Sequence, residues 1–201
     1  MAKRQNSEFE IRGINHLALV CKDMERTVRF YRDILGMPLI KTIDLPNNSG
    51  QHFFFDIGNG DSLAFFWFPN APEACPGLAS PGGLPGNPAF VTAHGSMSHV
   101  AFNVPAKKFD EYYEKLKSKG IEVSPILNHD NSETQVSRTV HPGVFVRSVY
   151  FFDPDGVCLE FACWMREFDE SDVAHAPVNA AGVKAVAPAS RQVSLAPQAP
   201  S

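Results

Sequence analysis

The chain has 201 residues, a formal net charge of −4, 44% hydrophobic and 20% charged side chains, a composition typical of a globular protein. This balance gives no electrostatic reason to expect nucleic acid as a partner, and no apolar run approaches the roughly 20 residues that cross a membrane. Because residues 1–6 lack the apolar core of a signal peptide and the four cysteines show no disulfide or zinc-finger spacing, we expect a cytoplasmic protein without a membrane or nucleic-acid partner.

The first predicted module covers about residues 12–68 and has the order βαβββ. Residues 14–20 are mainly apolar and predict a buried strand. Asp23 is predicted to cap a helix that ends at Gly36, since glycine readily takes the left-handed conformation of a helix end. Three further strands are predicted at 38–44, 51–57 and 62–68.

The second predicted module, about residues 97–164, repeats this order. A strand at 97–104 is followed by a helix from about 106 to 119, which Gly120 ends. Further strands are predicted near 121–126, 145–152 and 157–164. Neither module can bury its sheet alone. We therefore predict an α+β fold in which two βαβββ modules, paired within a chain or swapped between chains, form a curved eight-stranded mixed sheet around a metal cleft.

Two segments lie outside the modules. The connection from Pro69 to Thr92 is so rich in proline and glycine that it excludes a helix or a central strand. Its length exceeds what a connection needs, so a lid over the cleft is one hypothesis and a plain linker is the other. After the domain at 1–166, residues 167–201 are rich in Ala and Pro, and we expect this tail to be disordered.

The two modules share one histidine position and differ at one carboxylate position. When the modules are overlaid on their glycines, His16 matches His99, whereas Glu160 matches Ala64. A buried carboxylate without a partner is costly, so we expect a cation beside Glu160. If a pseudo-twofold axis relates the modules, both histidines and the glutamate converge in the cleft. Two histidines and one carboxylate on one face of an ion suit non-haem Fe(II).

The other histidines lack this support from the repeat. We expect them to occupy surface or loop positions; they are His52, His94, His129 and His175.

These motifs resemble the vicinal oxygen chelate superfamily, the group of glyoxalases, bleomycin-resistance proteins and extradiol dioxygenases. The stretches that carry the resemblance are residues 16–20, 30–37, 152–156 and 159–161. The likeness covers about residues 12–164 and implies the paired βαβββ fold. It implies less about the reaction, because this superfamily hosts many chemistries.

Within the superfamily, the ligand set favours one reaction. Glyoxalase I and methylmalonyl-CoA epimerase use a fourth protein ligand at the place that Ala64 holds here. Extradiol ring-cleaving dioxygenases use two histidines and one glutamate, with a tyrosine ten residues and a histidine nineteen residues before the glutamate. Tyr150 and His141 stand at these places before Glu160. The resemblance thus implies an Fe(II) extradiol-type dioxygenase with these two as catalytic residues.

The same resemblance implies the partners of the chain, namely a small aromatic diol and O2, within a homodimer or a higher homo-oligomer. Tyr150 is expected to donate a hydrogen bond to the substrate, and His141 to stabilise developing charge. Phe54, the repeat-mate of Tyr150, and Phe66 have the parity of the cleft face, so we assign both to the substrate pocket. Arg138 or Arg147 could meet a substrate carboxylate.

The family pattern also contains a further acid–base histidine upstream of the second metal ligand. The corresponding region here is the Pro/Gly segment around Leu84, and His94 is the nearest substitute.

Three alternatives stay open. One is a glyoxalase-like lyase or isomerase in which water replaces the missing ligand, with zinc or nickel as the metal. Another is group addition of the fosfomycin-resistance type with Mn(II), although the sequence shows no basic patch for a phosphonate. The third is a non-enzymatic binding protein of the bleomycin-resistance type, against which the presence of His16, His99 and Glu160 argues.

Overall fold

The structure, a computed structural model, describes residues 8–173 and 175–184. Residues 8–167 belong to one compact unit, and the described residues from Phe168 onward belong to another. In the described part of the chain, no helix is long and apolar enough to cross a membrane.

The described residues of the second unit fall within the segment 167–201, whose disorder stays a prediction. They form one turn of 3-10 helix at Glu170–Val173 and an isolated β-bridge between Val178 and Lys184. Residue 174 and residues 185–201 of the predicted disordered tail lie outside the described residues, as do residues 1–7, which include the segment searched for a signal peptide.

The first module forms a four-stranded mixed sheet. Its strands are β1 (His16–Cys21), β2 (Leu39–Asp44), β3 (Gln51–Gly58) and β4 (Asp61–Trp67). They are arranged in the order β1-β4-β3-β2, with β1 parallel to β4 and the other pairs antiparallel. The predicted strand positions are confirmed.

The helical segment of this module begins and ends where the sequence predicts. Asp23 Oδ1 accepts a hydrogen bond of 3.0 Å from the N–H of Arg26 and so caps helix α1 (Met24–Val28). Gly36 ends the segment with a φ of 80°. The sequence did not predict that the second half, Arg29–Ile34, is a π-helix. Because π-helices are rare and occur mostly as single-turn bulges within α-helices, an ordinary helical pattern does not identify them.

The second module forms a five-stranded sheet of order β5-β9-β8-β6-β7. Its strands are β5 (Val100–Asn103), β6 (Leu127–His129), β7 (Val136–Ser137), β8 (Val146–Phe152) and β9 (Cys158–Trp164). Helix α2 (Phe109–Ser118) follows a 3-10 turn at Ala106–Lys108. The predicted α+β fold of two modules is confirmed, and the strands of one chain form two sheets of four and five strands.

The strand predicted near 121–126 is wrong. This stretch makes one isolated bridge, from Val123 to Phe151, and the N–H of Ser124 donates to the carbonyl of Tyr150. Pro125 has no N–H to donate, and the regular ladder begins only after it. The short strands β6 and β7 were not predicted, because their few residues carry no alternating pattern and pair through tertiary contact.

The structure of the connection from Pro69 to Thr92 agrees with the expectation from its high proline and glycine content. In this segment the structure shows one 3-10 turn at Pro88–Phe90 and an isolated bridge between Pro76 and Ser80. The predicted absence of an α-helix and of a central strand is confirmed for this described segment.

A buried hydrogen bond joins the two modules. The hydroxyl of Tyr31, fully buried after α1, donates to Asp153 Oδ2 over 3.0 Å. The other oxygen of Asp153 accepts two backbone N–H groups, from Asp155 and Val157, at 2.8 Å each. The Tyr31 ring also packs against Phe65 in the common hydrophobic core. One core therefore serves both modules, and it lies on one side of each sheet.

The opposite side of each sheet is exposed at its parallel edge strand. In β1, Leu17 and Leu19 pack on the core, while His16 and Ala18 are exposed. In β5, Phe102 is buried, while the residues on either side of it are exposed. The strand faces that carry the candidate ligands are thus uncovered along β1 and β5 in a single chain.

The buried Asp153 predicts a pH dependence of stability. Burial, only partly offset by hydrogen bonds from Val157 and Tyr31, raises its pKa from 3.8 to about 6. Between about pH 4 and about pH 6 the folded chain holds a proton that the unfolded chain has lost, so the free energy of unfolding falls as the pH rises, by up to about 3 kcal/mol. We expect Asp153→Asn to flatten this fall, as measured by urea unfolding across that range.

The substitution Asp44→Asn, at an exposed strand end, is the control for the loss of one negative charge. Equal pH slopes for wild type and Asp153→Asn would contradict the assignment.

Candidate functional site

The second module brings His99 and Glu160 together. Nε2 of His99 lies 3.0 Å from Oε2 of Glu160. The parallel pairing of β5 with β9 sets Ala101 opposite Glu160, and His99, two residues before Ala101, has the same parity. Glu160 is 4% exposed, whereas the His99 side chain is 31% exposed. The two atoms that would bind one metal ion therefore already face each other. Oε2 belongs to a buried carboxylate, and Nε2 belongs to an accessible imidazole.

The surroundings of Glu160 favour its ionised form. Burial raises the pKa of this carboxyl, but the hydrogen bonds and charge of its neighbours, His99 first, together hold it below the usual value. Tyr150 lies opposite Glu160 on β8, and burial together with the Glu160 charge raises the pKa of its phenol to about 12. Ser148 lies close enough to lower the pKa of Glu160, yet its buried oxygen has no hydrogen-bond partner among the described residues.

The predicted catalytic residue Tyr150 lies in this cluster. Its ring meets the His99 ring edge-on, with centroids 5.4 Å apart. Phe90, from the connecting segment, stacks with the His99 ring at 6.3 Å and contacts Tyr150 at 6.0 Å. The connection therefore reaches the candidate site, and its role as a lid stays a prediction.

The first module carries His16 among aromatic rings. The His16 ring contacts the predicted pocket residue Phe54 edge-on at 5.7 Å. His52 stacks on the second predicted pocket residue, Phe66, with ring centroids 3.6 Å apart and an interplanar angle of 13°. It also lies 4.2 Å from Phe54. One candidate ligand, His16, thus contacts the edge of a cluster of three aromatic rings, Phe54, His52 and Phe66.

His52 does not occupy the loop or surface position that we expected. It lies within β3, and its Nε2 is buried without a hydrogen-bond partner in the described structure. Burial first, and then the charge of His16, lower its pKa, so its imidazole is kept neutral. His52 stands two residues before Phe54 on the same strand, so it lies on the same cleft face. This spacing was the signal in the sequence that could have identified His52 as a cleft residue.

Both repeated histidines are held at the same ring nitrogen. Nδ1 of His16 lies 2.8 Å from Oδ1 of Asn15, and Nδ1 of His99 lies 3.1 Å from Oγ of Ser98. Nδ1 of His16 is placed to donate to Asn15, which keeps the lone pair of its Nε2 for a metal. Nε2 of His99 donates to the Glu160 carboxylate in this structure, and a metal that took its place between them would leave the ring proton on Nδ1, facing Ser98. Sequence reasoning missed Asn15 and Ser98, although a polar residue directly before each repeated histidine was a readable signal.

The three predicted ligands do not meet in one chain. Among the described residues there is no group of three or more His, Cys, Asp or Glu side chains that could hold a metal. Of the three candidate ligands, the structure brings His99 and Glu160 together and leaves His16 apart from them. The expected convergence is not met within a single chain. Ala64, the repeat-mate of Glu160, is fully buried between neighbouring strands and offers no donor.

His141 is held within its own loop. Its Nε2 lies 2.9 Å from Oδ2 of Asp130, and its Nδ1 accepts the N–H of Gly143 over 3.1 Å. Both ring nitrogens are therefore engaged, and no contact in the described structure joins His141 to Tyr150 or Glu160. Spacing along the chain placed it correctly for the family pattern but says nothing about its hydrogen bonds.

The cations suggested for a substrate carboxylate make no recorded contact with this cluster in the described structure. The guanidinium of Arg147 binds both oxygens of Asp110 at 2.7 and 3.1 Å and also donates to Asn128. Arg138 is exposed, as is His94, the suggested acid–base substitute.

Comparison with known proteins shows the relationships of the chain. Residues 13–161 match the family model described as the Glyoxalase/Bleomycin resistance protein/Dioxygenase superfamily. The fosfomycin resistance protein FosX of Listeria innocua is 27% identical over 158 residues, which cover 75% of this chain and 88% of FosX.

Two further proteins give other comparisons. MhqE of Bacillus subtilis, named as a ring-cleaving dioxygenase, is 26% identical over 113 residues, or 54% of this chain and only 32% of MhqE. Among solved structures, a glyoxalase family protein from Enterococcus faecalis is 25% identical with a TM-score of 0.52, covering 75% of this chain and 97% of that one.

The pairing of His141 with Asp130 predicts an energetic coupling between them. His141→Ala and Asp130→Ala each remove the same hydrogen bond, so the double variant should lose less stability than the two single losses added together. We expect a coupling of about 1 kcal/mol, measured by urea unfolding of the four proteins. Strict additivity would show that the pair makes no net contribution and would leave His141 free to act elsewhere.

Proposed function

This chain belongs to the glyoxalase/bleomycin resistance protein/dioxygenase superfamily, and on that basis we propose that it is a metal-dependent enzyme whose site is completed by two copies of the chain. The observation that carries the proposal is the contact of His99 Nε2 with the buried Glu160 carboxylate at 3.0 Å. A carboxylate at 4% exposure and an imidazole with its other nitrogen already anchored form two ligands of a divalent cation.

The third ligand is His16 of a second copy. Within one chain His16 lies apart from the other two ligands, while its strand face is exposed. The strand face of β5, beside His99, is exposed as well. When β1 of one copy faces β5 of another, a twofold axis generates two equivalent sites, and each protomer contributes both halves. In this proposal the predicted homodimer is therefore needed to complete each metal site.

The ligand set favours Fe(II). Two histidines and one carboxylate, with an alanine at the fourth repeat position, leave open positions on the metal. Held by these residues, Fe(II) would lower the pKa of a substrate hydroxyl and would offer a coordination position for O2. Manganese, zinc and nickel are the alternative metals for the same ligands.

The surrounding residues suit a small aromatic diol. Phe54 lies beside His16, and Phe66 follows it across the ring of His52; these ring surfaces would exclude water and orient a planar substrate. Tyr150, next to Glu160, would donate a hydrogen bond from its phenol to a substrate oxygen. The reaction that we propose is extradiol-type ring cleavage with O2. A role for His141 would require release of its bond to Asp130, so we assign it none in this step.

A second candidate function is metal-assisted addition of a thiol or water to an electrophilic small molecule. The extent of the matches supports this reaction, because the similarity spans 88% of FosX but only 32% of MhqE. The same three ligands would hold Mn(II). Against a phosphonate substrate stands Arg147, whose guanidinium is already bound by Asp110.

The assignment of the ligands predicts complementation between defective copies. His16→Ala and Glu160→Ala each remove one ligand from both sites, so either variant alone should bind at least about tenfold less metal at limiting concentration. A mixed dimer of the two variants carries one intact site. After equal amounts are unfolded and refolded together, about a quarter of the wild-type sites should return, as counted by bound metal per chain. A mixture that binds no more metal than its components would contradict the shared site.

The reaction itself is tested by oxygen consumption. Iron-loaded protein should consume O2 with a catechol panel, and Tyr150→Phe should lower kcat about tenfold or more with its metal content unchanged. Manganese as the metal bound on purification, with no O2 consumed on any diol after iron loading, would favour the addition reaction.

A further inference from the structure

Two buried polar atoms without a partner lie at matching positions of the repeated modules. They are Nε2 of His52 and Oγ of Ser148, which have no hydrogen-bond partner in the described part of the chain. His52 lies two residues before Phe54 on β3, and Ser148 lies two residues before Tyr150 on β8. Because Phe54 and Tyr150 are repeat-mates, His52 and Ser148 are repeat-mates as well.

Both residues lie on the sheet face of the candidate ligands. His52 pairs with Phe66 across β3 and β4, and Phe66 has the parity of Ala64, the repeat-mate of Glu160. Ser148 has the parity of Tyr150, which pairs with Glu160 across β8 and β9. Side chains of equal parity on one strand share a face of the sheet. In each module, one buried polar atom without a hydrogen-bond partner therefore lies on the same sheet face as Glu160 or its repeat-mate Ala64.

The packing around His52 fixes the position of its ring. The imidazole of His52 is stacked on Phe66 with centroids 3.6 Å apart and packs against Phe54 at 4.2 Å. These rings restrict its rotation toward another partner in the chain. Ser148 is 1% exposed and therefore shielded from bulk water, and its hydroxyl lies close to Glu160 and Tyr150 without a hydrogen bond of good geometry to either. A buried polar atom without a partner costs free energy, and a ligand that enters the site would remove this cost.

We propose that His52 and Ser148 are substrate-binding residues, each forming a hydrogen bond with an oxygen atom of the small molecule that occupies the site. This rests on the proposed function, in which the two modules face each other across the metal. A neutral imidazole nitrogen either donates or accepts, and a hydroxyl does both. The pair therefore suits hydroxyl or carboxylate oxygens on a flat ring, and it distinguishes oxygenated aromatic molecules from purely apolar ones of the same shape.

The test uses full-length iron-loaded protein and the chromophoric diol 4-nitrocatechol, titrated without O2. In His52→Phe the ring stacking on Phe66 is kept but the hydrogen bond is lost, and we expect about tenfold weaker binding of the diol. His52→Gln places an amide near the position of Nε2 and should recover part of the affinity. Ser148→Ala should weaken binding about three- to tenfold. The metal content and the dimer mass should not change.

The matched control is His129→Phe. His129 also lies on a strand and packs against a phenylalanine, Phe145, at 6.3 Å, but it has no role in the proposed site. This substitution should leave the affinity for 4-nitrocatechol unchanged.

The outcomes separate the two proposals. If wild type binds no 4-nitrocatechol at full iron occupancy, the proposed function fails, and this inference fails with it. If wild type binds the diol and His52→Phe and Ser148→Ala bind it equally well, only this inference is overturned. The variants could instead form less dimer, while the dimer that remains binds 4-nitrocatechol as tightly as wild type. That result would assign both residues to the subunit interface and would likewise overturn this inference.

Discussion

The candidate site depends on one constraint: a carboxylate is held almost completely buried on an interior strand. Glu160 lies on β9 between β5 and β8, at 4% exposure, with His99 at 3.0 Å. A charge in this position needs a cation or several hydrogen bonds. The residue just before β5 supplies the imidazole of His99, and β8 supplies the phenol of Tyr150. The same arrangement presents His99 and Glu160 to an accessible sheet face. Stability and proposed function therefore depend on the same few groups.

The repeat made much of the fold and part of the site predictable. Matching glycines and strand patterns located both βαβββ modules. They identified His16 and His99 as equivalent positions and Glu160 as the counterpart of Ala64. The family spacing selected Tyr150, and the repeat together with strand parity assigned Phe54 to the cleft face; in the structure Tyr150 pairs with Glu160, and Phe54 contacts His16. Such features follow from periodicity, because a strand alternates its faces whatever the rest of the protein does.

The features that escaped prediction depend on three-dimensional contact. An apolar strand face does not indicate which other surface covers it, so the sequence could not exclude convergence of the ligands within one chain. The π-helical turn at Arg29–Ile34 and the short strand β7 are likewise set by tertiary packing. His141 has the family spacing, but the position of Asp130, eleven residues earlier, determines where its ring is held.

The central claim is that one metal ion joins two copies of this chain. The most direct measurement is an anomalous-scattering map of crystals grown from iron-loaded protein, which locates the metal and its ligands without any assumption about the reaction. We predict one iron per chain, bound by His99 and Glu160 of one protomer and by His16 of the partner subunit. Iron bound entirely by residues of a single chain, or bound away from Glu160, would contradict the account.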